Sequence, residues 1–83
     1  MKSEIFTTAI SNRQKIRFLY GLSREIVLEP YMISVNNNGN KVIYGRVDKT
    51  NVIKMFRYDN IFNIRRLSWN RFSPIIPILP QVN

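Results

Sequence analysis

The amino-acid sequence, 83 residues long, predicts a mostly β protein: a small five-stranded antiparallel barrel with one short N-terminal helix and a Pro-rich C-terminal tail. Three observations support this fold class. Helical spacing of apolar residues occurs only near the N-terminus, the middle of the chain consists of short Ile-, Val-, Phe- and Tyr-rich runs closed by turn signals, and prolines recur at every third position near the end. A chain of this length predicts a single domain over residues 1–83.

The helix is predicted over residues 4–12. Ser3 is the expected N-cap, and Glu4 suits the positive end of the helix dipole. A helix this short is not stable alone, so its apolar stripe must pack on the sheet. At helical spacing that stripe consists of Ile5, Phe6, Ala9 and Ile10.

The barrel is predicted over residues 15–67. Asn38-Gly39 predicts a tight hairpin, because both residue types tolerate a positive φ. Pro30 cannot donate to a sheet ladder, so the second strand should bend there. The five strand-like runs are IRFLY, EIVLEPYMISV, KVIYGRV, VIKMFRY and IFNIRRL.

The chain has too few residues for two packed sheets and a helix. Antiparallel strands with short connections can instead close into a barrel, which leaves no free strand edge. We therefore expect an SH3-like or Sm-like barrel with the helix across one open end. The tail over residues 68–83 favours polyproline II, with Trp69 and Phe72 as anchors. It either covers the domain's own core or docks on a partner or a second copy.

Composition narrows the possible partners. Thirteen Lys and Arg stand against five Asp and Glu, a formal net charge of +8, which predicts a polyanionic partner; the alternative is that the charge only keeps the protein in solution. The chain has no Cys and no His, which excludes disulfides, thiolate metal sites and the commonest general base. No apolar run suits a secretory signal or a membrane span, so a cytoplasmic location without a membrane partner is expected.

The sequence does not favour an enzyme. Its five carboxylates are scattered among helix start, strand ends and turns, and no pair has a spacing that suggests shared acid–base chemistry. No Gly-rich phosphate loop is present among three glycines. We expect neither a cofactor nor a metal site. A small basic ribonuclease toxin that acts through Arg, Lys and Tyr remains a minor alternative.

Cations interleaved with aromatic residues are the main functional signal, because cations hold phosphates while flat rings stack on bases. Tyr44 alternates onto the same strand face as Arg46, whereas Phe18, Phe56 and Phe62 are expected in the barrel core. Lys54 and Arg57 cannot share a face of one regular strand, nor can the adjacent Arg65 and Arg66. The candidate nucleic-acid- or ligand-binding residues are Tyr44, Arg46, Lys54, Arg57, Arg65 and Arg66.

The segments AISNRQKIRFLY, LEPY and MFRYDNI occur in an order and spacing that resemble the WYL domain of bacterial transcriptional regulators, over Ala9 to about Leu67. Val42-Ile43-Tyr44 stands where the family has Trp-Tyr-Leu. The resemblance implies an Sm-like barrel that senses single-stranded nucleic acid, nucleotides or other anionic effectors in transcriptional regulation or phage defence. The family's basic pocket carries over to Arg57 and Arg46. Without a helix-turn-helix of its own, the chain resembles a standalone WYL-like protein.

The expected function is binding of single-stranded DNA or RNA, or of a nucleotide-like effector, through phosphate contacts. A protein-interaction module that docks through its apolar Pro-rich tail is the alternative. A regulatory protein partner and self-assembly into a homo-oligomer stay open.

Overall fold

The structure is a computed structural model that describes residues 1–74, with the backbone alone described at residues 68–70. Five antiparallel strands form a single sheet, and one helix precedes them in the chain, which confirms the prediction of a mostly β protein. The elements are α1 (Lys2–Asn12), β1 (Gln14–Tyr20), β2 (Arg24–Val35), β3 (Lys41–Val47), β4 (Ile53–Arg57) and β5 (Ile61–Arg71).

The strands lie in the order β4-β3-β2-β1-β5, so β1 is hydrogen-bonded to both β2 and β5. A 3-10 turn at Tyr58–Asn60 leads from β4 to β5, which returns to the far side of the sheet. β5 continues to Arg71 and so includes residues 68–71, which the sequence assigned to the tail. The five predicted runs correspond one by one to the five strands.

The helix begins earlier than its sequence predicts. Its N-cap is Met1, which makes no side-chain capping bond, and Ser3 lies inside the first turn. The Ser3 hydroxyl instead donates a hydrogen bond to the Tyr58 hydroxyl at 3.2 Å, so a tertiary contact takes the side chain expected to cap the helix. The helix ends in a left-handed residue, Arg13, with φ of 56°. The buried stripe is Phe6 and Ala9.

Pro30 bends β2 without ending it. The pairing with β3 shifts register between Pro30 and Met32, so Tyr31 is the extra residue of a bulge. The β2–β3 hairpin is confirmed, but its loop spans residues 36–40, and only Gly39 has a positive φ, 81°. The Asn36 side chain accepts hydrogen bonds from the amides of Asn38 and Asn40 at 2.9 and 3.0 Å, which holds the wider loop.

The principal core lies between α1 and one face of the sheet. It joins both helix residues to alternate positions of every strand, the pattern expected when a sheet packs one face inward. Its buried members are Phe6, Ala9, Ile16, Phe18, Ile26, Leu28, Ile43, Phe56 and Ile61. We call this side of the sheet the core face and the other side the outer face.

A second buried group lies on the outer face. Tyr31, Val42 and Phe72 are buried but do not belong to the principal core. The Phe72 amide donates to the Arg13 carbonyl at 3.0 Å, and its ring lies 5.8 Å from that of Tyr31. The predicted Phe72 anchor therefore packs on the chain's own sheet. The Trp69 side chain and the predicted polyproline II segment after residue 74 lie outside the described residues.

Within residues 1–74, no helix is long and apolar enough to cross a membrane.

Candidate anion-binding pocket

A pocket of about 200 Å³ opens near the start of β2 and the turn between β3 and β4. Its floor is apolar, and two of its lining residues, Arg24 and Lys54, are cations. None of its lining residues carries a carboxylate. The lining residues are Arg24, Ile26, Val47, Thr50, Val52, Lys54 and Phe56.

Strand register explains why the two cations meet there. Lys54 pairs with Gly45 and lies two residues before the core residue Phe56, so its side chain starts on the core face. Arg24 pairs with Tyr20 and lies two residues before Ile26, which is also a core residue. Both cations therefore extend the core face beyond its apolar centre, where the sheet reaches solvent, and both are exposed.

The pocket floor rests on an aromatic cluster that fixes its shape. The Phe56 ring lies edge-on to Phe18 and Tyr20, with centroids 5.4 and 4.9 Å apart. The Tyr20 hydroxyl accepts a hydrogen bond from the Arg57 amide at 3.3 Å, which ties β1 to the end of β4. Edge-to-face packing of this kind holds rings in defined orientations, so the floor is built before any ligand arrives.

Arg24 and Lys54 are among the cations that no carboxylate neutralises in the described part of the chain. Four of the thirteen Lys and Arg side chains form ion pairs with carboxylates in the described part of the chain: Lys15, Arg17, Arg46 and Arg57. The fifth carboxylate, Glu4, faces the N-terminal ammonium. Among residues 1–74, Arg24 and Lys54 have no carboxylate partner, so their charges are available to an anion.

Arg46 illustrates the opposite case. Its Nε donates to Glu29 Oε1 at 2.8 Å, a second nitrogen donates to Glu29 Oε2, and the third donates to the Thr50 carbonyl at 2.6 Å. The hydrogen bonds to Glu29 raise the pKa of the Arg46 guanidinium above its ordinary range. Glu29 is only 1% exposed, and a buried carboxylate needs such a partner. All three nitrogens of Arg46, a predicted ligand-binding residue, thus already donate hydrogen bonds within the protein.

The other predicted site residues are distributed over three places. Tyr44 and Arg57 lie with Arg46 on the outer face of β3 and β4, where the Arg57 guanidinium donates to Asp59 at 2.7 Å. Lys54 is on the core face, so the expectation that Lys54 and Arg57 cannot share a face agrees with the register. Arg65 and Arg66 are on β5, separated from β3 in the sheet order by β2 and β1.

The structure therefore brings together only part of the predicted set. Of the six candidates, Lys54 alone lines the pocket, and its cationic partner there, Arg24, was missed by sequence reasoning. The missing signal was alternation along β2, because Arg24, Ile26 and Leu28 share one strand face. Phe18 and Phe56 are buried as predicted, but Phe62 is exposed, contrary to the expectation.

No model of a protein family, no curated protein and no solved structure matches this chain. Among residues 1–74, no group of three or more carboxylates could hold a metal ion.

Proposed function

We propose that this protein is a small, non-catalytic anion-binding module that holds single-stranded nucleic acid or a nucleotide-like effector in the pocket between Arg24 and Lys54. The observation that carries the proposal is the composition of that pocket: two cations without carboxylate partners in the described chain stand around an apolar floor. Cations suit phosphates and an apolar floor suits a base, so the pair matches both parts of a nucleotide.

The size of the pocket favours one group of a larger ligand. Sites that enclose a drug-sized molecule measure roughly 300–1,000 Å³, whereas this pocket measures about 200 Å³. It suits a single base or a comparable flat ring, with the attached phosphates at the cationic rim. A base inside a duplex is stacked on both faces, so this arrangement favours single strands, strand ends or free nucleotides.

The fold supports an SH3-like or Sm-like barrel as part of the same proposal. In the order β4-β3-β2-β1-β5, the first strand pairs with the second and the fifth, and a 3-10 turn leads into the fifth. Small barrels of this kind bind strands and oligonucleotides through one face and its loops. The proposal includes a WYL-like regulatory role in the cytoplasm, supported by the motifs AISNRQKIRFLY, LEPY and MFRYDNI.

The test is fluorescence polarisation with a short labelled oligothymidylate at salt concentrations of about 50 and 200 mM. Binding through several phosphates should weaken steeply between the two salt concentrations. In a plot of the logarithm of the association constant against the logarithm of the salt concentration, each phosphate contact on a single strand adds roughly 0.7 to the steepness of the slope. Replacing Arg24 and Lys54 together by Ala should reduce that slope by about 1.4.

The matched control replaces Lys41 and Arg71 by Ala, because both are exposed and neither lines the pocket. It removes the same charge from elsewhere, so it should weaken binding less than the pocket pair does. The proposal fails if the parent binds no oligonucleotide or nucleotide at low salt. The assignment to the pocket fails if the two double variants lose equal affinity.

A further inference from the structure

An exposed aromatic side chain on β5 lies outside the pocket just described. Phe62 is 49% exposed, although the residue before it, Ile61, is fully buried in the core. Asn63, with φ of 55°, is in the left-handed region, and the pairing of β1 with β5 shifts register beside it. Phe62 follows the inward-facing Ile61, so strand alternation turns this large ring toward solvent just before the bulge.

Phe62 lies among cations on the outer face. It pairs with Leu19, and two residues back along β1 Arg17 pairs with Arg65, so Phe62, Arg17 and Arg65 share this face. The ammonium of Lys2 approaches the ring from another side, 5.6 Å from its centroid, while donating to the Tyr58 carbonyl. The exposed ring is therefore flanked by positive charge.

The two arginines oppose each other across the strands, an arrangement that destabilises a sheet. Arg17 has a carboxylate neighbour, Glu25, at 3.8 Å, but both of these side chains are largely exposed. Arg65 has no carboxylate partner among residues 1–74. A bound polyanion would remove this repulsion, because each phosphate neutralises one cation.

We infer that the outer face of β1 and β5 is a second contact surface for single-stranded nucleic acid, on which one base stacks on Phe62 while Arg17 and Arg65 hold neighbouring phosphates. The inference rests on the proposed function and extends it to a separate face, since the pocket lies on the core-face side. A strand that used both sites would pass around the sheet. Stacking on a ring is tolerant of sequence, so this surface should not select one base strongly.

The test compares Phe62→Leu, Phe62→Tyr and the control Leu22→Ala, whose parent side chain is fully exposed elsewhere. Two labelled ligands are used: an oligothymidylate and inorganic polyphosphate, which carries charge without bases. Phe62→Leu should weaken oligothymidylate binding about fivefold or more and leave polyphosphate binding unchanged. Phe62→Tyr should retain the parent affinity, and so should the control.

The remaining outcomes separate this inference from the proposed function. If the Arg24 and Lys54 variant loses affinity while Phe62→Leu binds oligothymidylate like the parent, the second surface is overturned and the pocket stands. If Phe62→Leu weakens both ligands equally, stacking is overturned. If Phe62→Leu instead converts a dimer of the free protein to a monomer in sedimentation, the surface joins two copies and the inference is overturned. If the parent binds neither ligand, both proposals fall together.

Discussion

Two groups of cations on opposite sides of the sheet use their positive charge in opposite ways. On the outer face, Arg46 gives two of its nitrogens to the buried carboxylate of Glu29 and the third to a backbone carbonyl. On the core-face side, Arg24 and Lys54 stand at an apolar pocket with no carboxylate partner in the described chain. The location of the carboxylates, rather than that of the cations, distinguishes a structural cation from a binding cation.

This difference matters for any small basic protein. Net charge predicts that a polyanion will be attracted, but it does not say which side chains will meet it. Five carboxylates are few enough in this chain for each to be traced to its partner, and four of them pair with Lys or Arg side chains. Cations outside those pairs are the ones on which binding experiments should concentrate.

The largest expected effect is loss of the buried ion pair. Glu29→Ala leaves the Arg46 guanidinium without its carboxylate and should lower the free energy of unfolding, measured by urea denaturation, more than any other change considered below. Oligonucleotide affinity of the folded variant should not fall. The double variant Glu29→Leu with Arg46→Met should recover much of the lost stability, because an apolar pair removes both buried charges. If Glu29→Ala were as stable as the parent and bound oligonucleotide more weakly, the structural role assigned to the Glu29–Arg46 pair would be contradicted.

The second largest effect concerns Phe72, which contacts Glu29 indirectly through Tyr31. Phe72 packs on Tyr31, whose hydroxyl lies 3.5 Å from Glu29 Oε1. Phe72→Ala should lower the free energy of unfolding by about 3 kcal/mol, because it removes a buried ring and leaves a cavity beside Tyr31. Phe72→Leu should lose distinctly less. A thermal melt of Phe72→Ala equal to that of the parent would show that the Phe72 ring adds nothing to the packing around Tyr31.

Particular residues show how far sequence reasoning reached. Alternation and turn residues predicted all five strands, because those signals are local. The prediction that Ser3 caps the helix was wrong, because the Ser3 hydroxyl donates its hydrogen bond to Tyr58, 55 residues away in the chain. The prediction of a buried Phe62 was wrong because it was based on residue type, whereas Ile61 takes the inward position and alternation turns Phe62 outward.

The candidate site was harder to predict for a similar reason. Glu29 and Arg46 are 17 residues apart and become partners only through the β2–β3 register, which the bulge at Tyr31 shifts. Sequence reasoning therefore counted Arg46 as available. Lys54 was identified as a cation in an aromatic context, but nothing local shows that it meets Arg24 across a turn region.

A smaller effect comes from filling the pocket without changing its charge. Val52 lines the pocket and is about half exposed, so Val52→Trp should leave the free energy of unfolding within about 0.5 kcal/mol of the parent. Binding of a mononucleotide or oligothymidylate should weaken about tenfold, which corresponds to roughly 1.4 kcal/mol. Val35→Trp, at an exposed valine outside the pocket, is the matched control. Equal binding by both variants would leave attraction by charge alone as the explanation.

The smallest expected effect concerns the half-buried hydroxyl of Tyr58, which is hydrogen-bonded to the neutral hydroxyl of Ser3. Partial burial raises the pKa of Tyr58 above the ordinary value of 10.0, and the hydrogen bond donated by Ser3 opposes the rise. The folded state holds the Tyr58 proton more tightly than the unfolded state does. The stability that this difference contributes is complete below pH 10 and is lost as the pH rises through the folded-state pKa.

As the pH rises above about 10, the parent should therefore lose more stability than Tyr58→Phe does, as measured by urea denaturation at each pH. Ser3→Ala removes the opposing hydrogen bond, so its phenol should ionise at still higher pH and its loss of stability should extend further into the alkaline range. Identical alkaline profiles for the parent and Tyr58→Phe would mean that the half-buried phenol ionises as easily in the folded as in the unfolded protein, which would contradict this prediction.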